Sequence, residues 1–158
     1  MRSVDKTPDG VTVAVARGAF IDHAHHFPIE VNFEDVDVTG VVHHPKYLNF
    51  MERARSDALR LLEIDHRAAV ETGVGYFAVA DIQIKYIKPA YLDDILTIVS
   101  QIHLLRAASW VVHQRVMRDG GEIARADITV AFLSPNGRPT RQPLAWTEAY
   151  KVMLKESV

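Results

Sequence analysis

With 158 residues and 48% hydrophobic side chains, the chain suits one domain around a single core. Its 18 Lys plus Arg nearly balance 20 Asp plus Glu, and the formal net charge of −2 offers no broad attraction for nucleic acid or an anionic membrane. It has no cysteine, which excludes disulfides, thiolate metal sites and a cysteine nucleophile.

The first residues, MRSVDKTPDG, lack the apolar core and small-residue cleavage site of a secretory signal. No apolar run approaches the ~20 residues that a membrane helix needs. The expected location is the cytoplasm, without membrane insertion. Residues 1 to 26 read as an N-terminal extension with Pro8, Gly10 and Gly18. Its one β-prone stretch, Val11 to Val15, can add an edge strand or stay mobile.

Residues 27 to 158 read as the folded domain. Phe27, Ile29, Val31 and Phe33 alternate with polar residues and Pro28, which predicts a half-buried strand. A turn-rich segment, Asp35 to Gly40, follows. Pro45 marks a helix start. Tyr47, Met51, Ala54, Ala58, Leu61 and Leu62 then recur at spacings of three and four, predicting an amphipathic helix of about five turns. A shorter helix is expected around Arg67 to Thr72, stopped by Gly73.

The remainder reads as strands. Ala80, Ile82, Ile84 and Tyr86 alternate with polar residues. Ile95 to Leu105 and Ser109 to Arg118 are two further candidates. Asp119-Gly120 signals a hairpin into a last strand with Ala124, Ala126, Ile128, Val130 and Phe132 on one face. Ala145 to Lys155 suits a terminal helix slightly better than a strand. One long helix against a curled antiparallel sheet is an α+β arrangement. A single helix covers only part of such a sheet, so a homo-oligomer, a homodimer or homotetramer, is expected.

The run Phe33-Glu34-Asp35-Val36-Asp37-Val38-Thr39-Gly40-Val41-Val42-His43-His44-Pro45-Lys46-Tyr47 resembles the signature of the 4-hydroxybenzoyl-CoA thioesterase family. It is closest to the branch of acyl-CoA thioesterases associated with the Tol–Pal system. Glu52-Arg53-Ala54-Arg55 and the stretch from Tyr86 through Pro89-Ala90 to Leu92-Asp93-Asp94 match that branch too. The resemblance covers about residues 27 to 140. The resemblance implies a hotdog fold, dimers joined edge to edge, an acyl-CoA substrate, and thioester hydrolysis without metal or redox cofactor. It maps the catalytic carboxylate onto Asp37 and a histidine onto His44.

Thioester hydrolysis needs an activated water or a nucleophile, and a site that stabilises the oxyanion. Asp37, just upstream of a helix start, suits the first role as general base or nucleophile. Otherwise it is an ordinary turn residue. Backbone amides near Val41, His43 and His44 suit the second role, since a helix N-terminus presents unpaired N–H groups. Gly40 would admit close approach of substrate. His44 would orient Asp37, bond the carbonyl or protonate the leaving thiolate, or merely cap the helix. Tyr47 is a pocket-lining or core residue, and Glu52 faces the site or pairs with Arg55. Asp35 reads as structural. Tyr76, Phe77 and Ile82 are candidates for shaping the acyl pocket.

The phosphates of CoA call for cations, for which Lys88, Arg106 and Arg141 are candidates, with Ser109 close to Arg106. Each reads more readily as solvated surface than as a specific contact. His23, His25, His26, His43 and His44 match no metal-ligand spacing, so no metal site is expected. Two alternatives stand beside hydrolysis: a non-catalytic hotdog domain that binds acyl-CoA or a protein, and a hotdog hydratase or dehydratase.

Overall fold

The computed structural model describes residues 8–156. Its strands are β1 (Ala19–Ile21), β2 (Ala24–Glu30), β3 (Tyr76–Tyr86), β4 (Ile95–Leu105), β5 (Ser109–Arg118) and β6 (Gly121–Leu133). They form one six-stranded sheet in the order β1-β2-β4-β5-β6-β3, antiparallel at every pairing. Helix α1 (Lys46–Leu61) lies across one face, followed by the short α2 (His66–Glu71). Helix α3 (Leu144–Ala149) runs into a 3-10 turn, Tyr150–Met153.

The core follows from the alternation. Ala124, Ala126, Ile128, Val130 and Phe132 of β6 are all buried, as are Leu96, Ile98 and Ile102 of β4 and Val112 and Val116 of β5. All of these except Phe132 share one cluster with Tyr47, Phe50, Met51, Ala54 and Ala58 of α1. The two alanines let the helix backbone approach the sheet closely. Pro45, at φ −68° and ψ −21°, sits at the helix boundary with helical dihedrals already set. Asp119 and Gly120 both take positive φ, as a tight two-residue hairpin requires.

Some bounds differ from the pattern, each for a local reason. The first strand ends at Glu30, and Phe33 turns outward in a 3-10 turn, 84% exposed. The boundary at residue 26 falls inside β2, so residues 19–26 belong to the sheet. Buried His25 breaks the apolar alternation there, which hides the strand. Val11 to Val15 forms no strand but carries an isolated bridge at Thr12, and its valines are exposed. β3 begins at Tyr76, before the Ala80 alternation, and a bulge between Val79 and Asp81 shifts its register and breaks the period-two pattern there. The C-terminal helix is broken after Ala149, and its Tyr150 and Met153 are buried. Among the described residues, no helix is long and apolar enough to cross a membrane.

Candidate active site

The segment between β2 and α1 is stitched to the loop before β4. Val31 N–H donates to Asp94 O and Asp93 N–H to Val31 O, at 2.9 and 3.0 Å. Val42 N–H donates to Ala90 O (2.9 Å) and Leu92 N–H to Gly40 O (3.3 Å). Asp35, buried, supplies an internal anchor: its carboxylate accepts from Asn32 N–H at 2.9 Å and lies 3.7 Å from Lys46 Nζ. The structural role read for it from the turn is what the geometry displays.

Asp37 sits at the exposed tip of this frame. Its N–H donates to Val41 O (2.9 Å), and its carbonyl accepts from Gly40 N–H (3.0 Å). Its Oδ1 accepts from the N–H of Thr39 at 2.8 Å and from the Thr39 hydroxyl. The hydroxyl bond, then the amide bond, hold the Asp37 carboxyl below its ordinary range, with smaller help from the Val41 amide and the field of His43. The group is therefore an anion at neutral pH. Gly40 has φ +78°, and a Cβ there would meet nothing within 4 Å. The turn needs the left-handed backbone, and the space beside it is open.

The histidines divide their work differently from the sequence reading. The His43 N–H already donates to Asp35 O at 2.9 Å, so this amide is not an oxyanion donor. Among the described residues the His44 N–H has no acceptor. The His44 carbonyl accepts from Tyr86 Oη at 2.9 Å, and its ring stands edge-on to Tyr86 at 6.3 Å. His44 makes no hydrogen bond to Asp37. The histidine whose charge Asp37 feels is His43.

Tyr47, expected at the pocket wall or in the core, is a core residue. It is 3% exposed and accepts from Ala90 N–H at 3.2 Å, and burial pushes its phenol up. Glu52 pairs with Arg55 across one turn of α1. Arg55 also donates to Gln114 Oε1 (2.8 Å), whose amide donates to Ser100 Oγ and Met51 O. Glu52 lines an open groove of about 490 Å³ with Leu48, Asn49 and Arg53 of α1 and Val79 and Ile82 of β3.

Lys88 lies at the Asp37 end of the sheet, its N–H bonded to Ile123 O at 3.0 Å. Arg106 and Ser109 pair across the β4–β5 turn at the far end, a strand length of 11 residues away, roughly 36 Å. Within one chain they do not meet Asp37. Phe77 is at that far end too, in an aromatic cluster with Trp110, Phe132 and Trp146.

Three contributors were not read from the sequence. Thr39 bonds the Asp37 carboxylate and lowers its proton affinity, and Tyr86 ties β3 to the helix start. Arg118 donates to Asp94 Oδ2 (2.7 Å) and Pro89 O (2.9 Å) and lies over the Tyr91 ring. Desolvation pushes the Asp94 carboxyl up, but the Tyr91 amide and Arg118 outweigh it and hold it low. Thr39 and Tyr86 stand inside the recognised motifs, whereas Arg118 carries no local signal.

An antiparallel sheet packed on one long helix is the architecture of the hotdog fold. The model of the Thioesterase superfamily matches residues 39–124, more than half the chain, beginning just after Asp37. The chain belongs to the Thioesterase superfamily, and it is a thioester hydrolase. It is 35% identical over 111 residues to the acyl-CoA thioesterase YbgC of Haemophilus influenzae, covering 70% of this chain and 82% of that one. Over 133 residues it is 35% identical to the YbgC acyl-CoA thioesterase of Helicobacter pylori, with 78% and 95% covered. Its fold is similar to a 1,4-dihydroxy-2-naphthoyl-CoA thioesterase from Synechocystis, at TM-score 0.76 and 18% identity over 80% of this chain and 95% of that one.

Proposed function

We propose that this chain hydrolyses an acyl-CoA thioester to free acid and CoA, with Asp37 as the catalytic carboxylate. The observation that carries the assignment is an exposed carboxylate fixed in place by two hydrogen bonds from Thr39 on the turn before α1. Acyl-CoA as substrate rests on relatives bearing that activity in their names, matched over 82% and 95% of their own length. In the reaction, Asp37 either takes a proton from water as it adds to the carbonyl carbon, or adds itself and is then released by water. The C–S bond breaks, and CoA leaves as a thiolate that takes up a proton. The unpaired His44 N–H is the candidate donor to the oxyanion.

The working unit in this reading is a homodimer. β3 is a sheet edge, and Val79, Ile82 and Tyr86 on it are exposed. Pairing β3 with its copy antiparallel buries these side chains and roofs the groove beside Glu52. It also carries the Tyr76 end of one copy toward the Tyr86 end of the other. The partner's far sheet end, which bears the Arg106 turn, then approaches Asp37, and this gives Arg106 and Ser109 a route to the CoA phosphates. A cytoplasmic location belongs to the same proposal, supported by a cysteine-free composition that suits a reducing compartment.

Thiol release from a panel of acyl-CoAs tests the reading. Wild-type chain should release CoA, and Asp37→Asn should lose about 10²–10⁴ in turnover. Undiminished turnover in Asp37→Asn removes Asp37 from the mechanism. Light scattering of Ile82→Lys, expected to give monomers with little turnover, tests the dimer.

A further inference from the structure

We propose that His103, His113 and Asp127 form a binding site for a divalent transition metal such as Zn²⁺ on the outer face of the sheet, opposite α1. Their ligating atoms all lie within 4.8 Å of one another. The three residues come from three neighbouring strands. His113 of β5 stands directly across from Asp127 of β6, and His113 Nδ1 lies 2.8 Å from Asp127 Oδ1. A bulge between Ile102 and Leu104 frees His103 from the regular β4 register and brings its ring over that of His113. The two imidazoles stack at 4.8 Å with planes 14° apart.

Two stacked imidazoles repel one another when both are protonated. Neutral imidazole is the form with a lone pair to donate, and a metal held between the two rings gives that lone pair a partner. Two imidazoles and one carboxylate make a donor set suited to Zn²⁺, Co²⁺ or Ni²⁺ and leave further positions to water. Bond lengths of about 2.0–2.2 Å require donors roughly 3.4 Å apart. The His113–Asp127 pair is already closer than that, and rotation of the exposed His103 ring closes the remaining gap. A metal bound by His113 Nδ1 and Asp127 Oδ1 replaces the hydrogen bond between them, and the Nδ1 proton is released to solvent or moves to Nε2 as the ring changes tautomer.

The surroundings limit the affinity. Arg115 and Arg125 face each other two residues along β5 and β6, and the charge of Lys155 reaches His103. Arg125 is tied to Glu122 at 2.9 Å, while the other two cations oppose the metal. Binding should therefore be micromolar. The site lies across the sheet from α1 and does not depend on how Asp37 acts. The sequence hid it because its spacings are set by two hairpins and a bulge.

Titration of the chelator-treated full-length protein with Zn²⁺ by calorimetry, and with Co²⁺ by visible absorption, tests the site. One metal per chain is expected. His103→Gln, His113→Gln and Asp127→Asn should each weaken it at least about tenfold. His23→Gln, outside the cluster, should leave it unchanged, and Asp127→Glu should retain it. Circular dichroism establishes that each variant is folded. Absence of saturable binding to the wild type, or equal binding by the folded variants, would overturn the proposal.

Discussion

Asp37 and Asp57 are two carboxylates near the ends of the same structural unit, and they are used in opposite ways. Asp57, on α1, is 1% exposed. It accepts from Gly18 N–H at 2.8 Å and Arg17 Nη1 at 3.2 Å, and lies 2.9 Å from His25 Nε2. It thereby ties β2 and the residues before β1 to the helix. Asp37 is exposed and bonded only within its own turn. A buried charge is committed to holding chain segments together, because each of its partners would be left unsatisfied without it. An exposed charge held in a defined geometry by its own loop remains available to a substrate.

Exchanging the two roles by mutation separates them. Asp37→Asn should cost turnover and leave the melting temperature unchanged within about a degree. The largest stability effect is expected from Asp57→Ala, which strands His25, Arg17 and the Gly18 amide. A loss of about 3–5 kcal/mol in denaturant midpoint measurements is the expected scale, with the kcat of the remaining folded chain far less affected. Gly18→Ala should act in the same direction and less strongly. A Cβ there would meet the His26 carbonyl at 2.4 Å and His25 Nε2 at 2.6 Å, so the backbone must shift.

Acid sharpens the contrast further. With His25 Nε2–H facing Asp57, the buried Nδ1 has no partner. Burial is the largest influence on His25 and lowers its proton affinity, outweighing the pull of Asp57. A group whose folded value is depressed contributes stability that is present above its unfolded value and lost as pH falls below it. Melting temperature should therefore decline as pH drops through and below about 6.5, and His25→Gln should flatten that decline. The smallest effect belongs to Thr39→Val. Without the hydroxyl bond the Asp37 carboxyl rises toward its ordinary range, so the acid limb of the pH–rate profile should move to higher pH while neutral turnover changes only a few-fold.

How legible each region was follows from the same physics. β4 and β5 coincide with the runs Ile95 to Leu105 and Ser109 to Arg118, because period-two burial writes directly into the sequence. The Asp37 turn was legible because Asp, Thr and Gly occupy a local geometry that demands them. The start of β2 was not, since a buried histidine with a carboxylate on α1 reads as polar surface. The clamp of Arg118 on Asp94 joins residues 24 positions apart, and no local pattern announces such a pair. For the same reason, the far-end placement of Arg106 emerges only from the topology.

The stitching of residues 31–42 to residues 90–94 has a consequence for how this chain tolerates changes of length. Paired on both sides of Val41, and closed by Asp37 onto Val41 and Gly40, the segment has no slack. One residue inserted between Thr39 and Val42 would turn every later side chain to the other face before Pro45 starts the helix. Insertions among residues 8–10, an exposed turn outside the sheet, should be accepted readily.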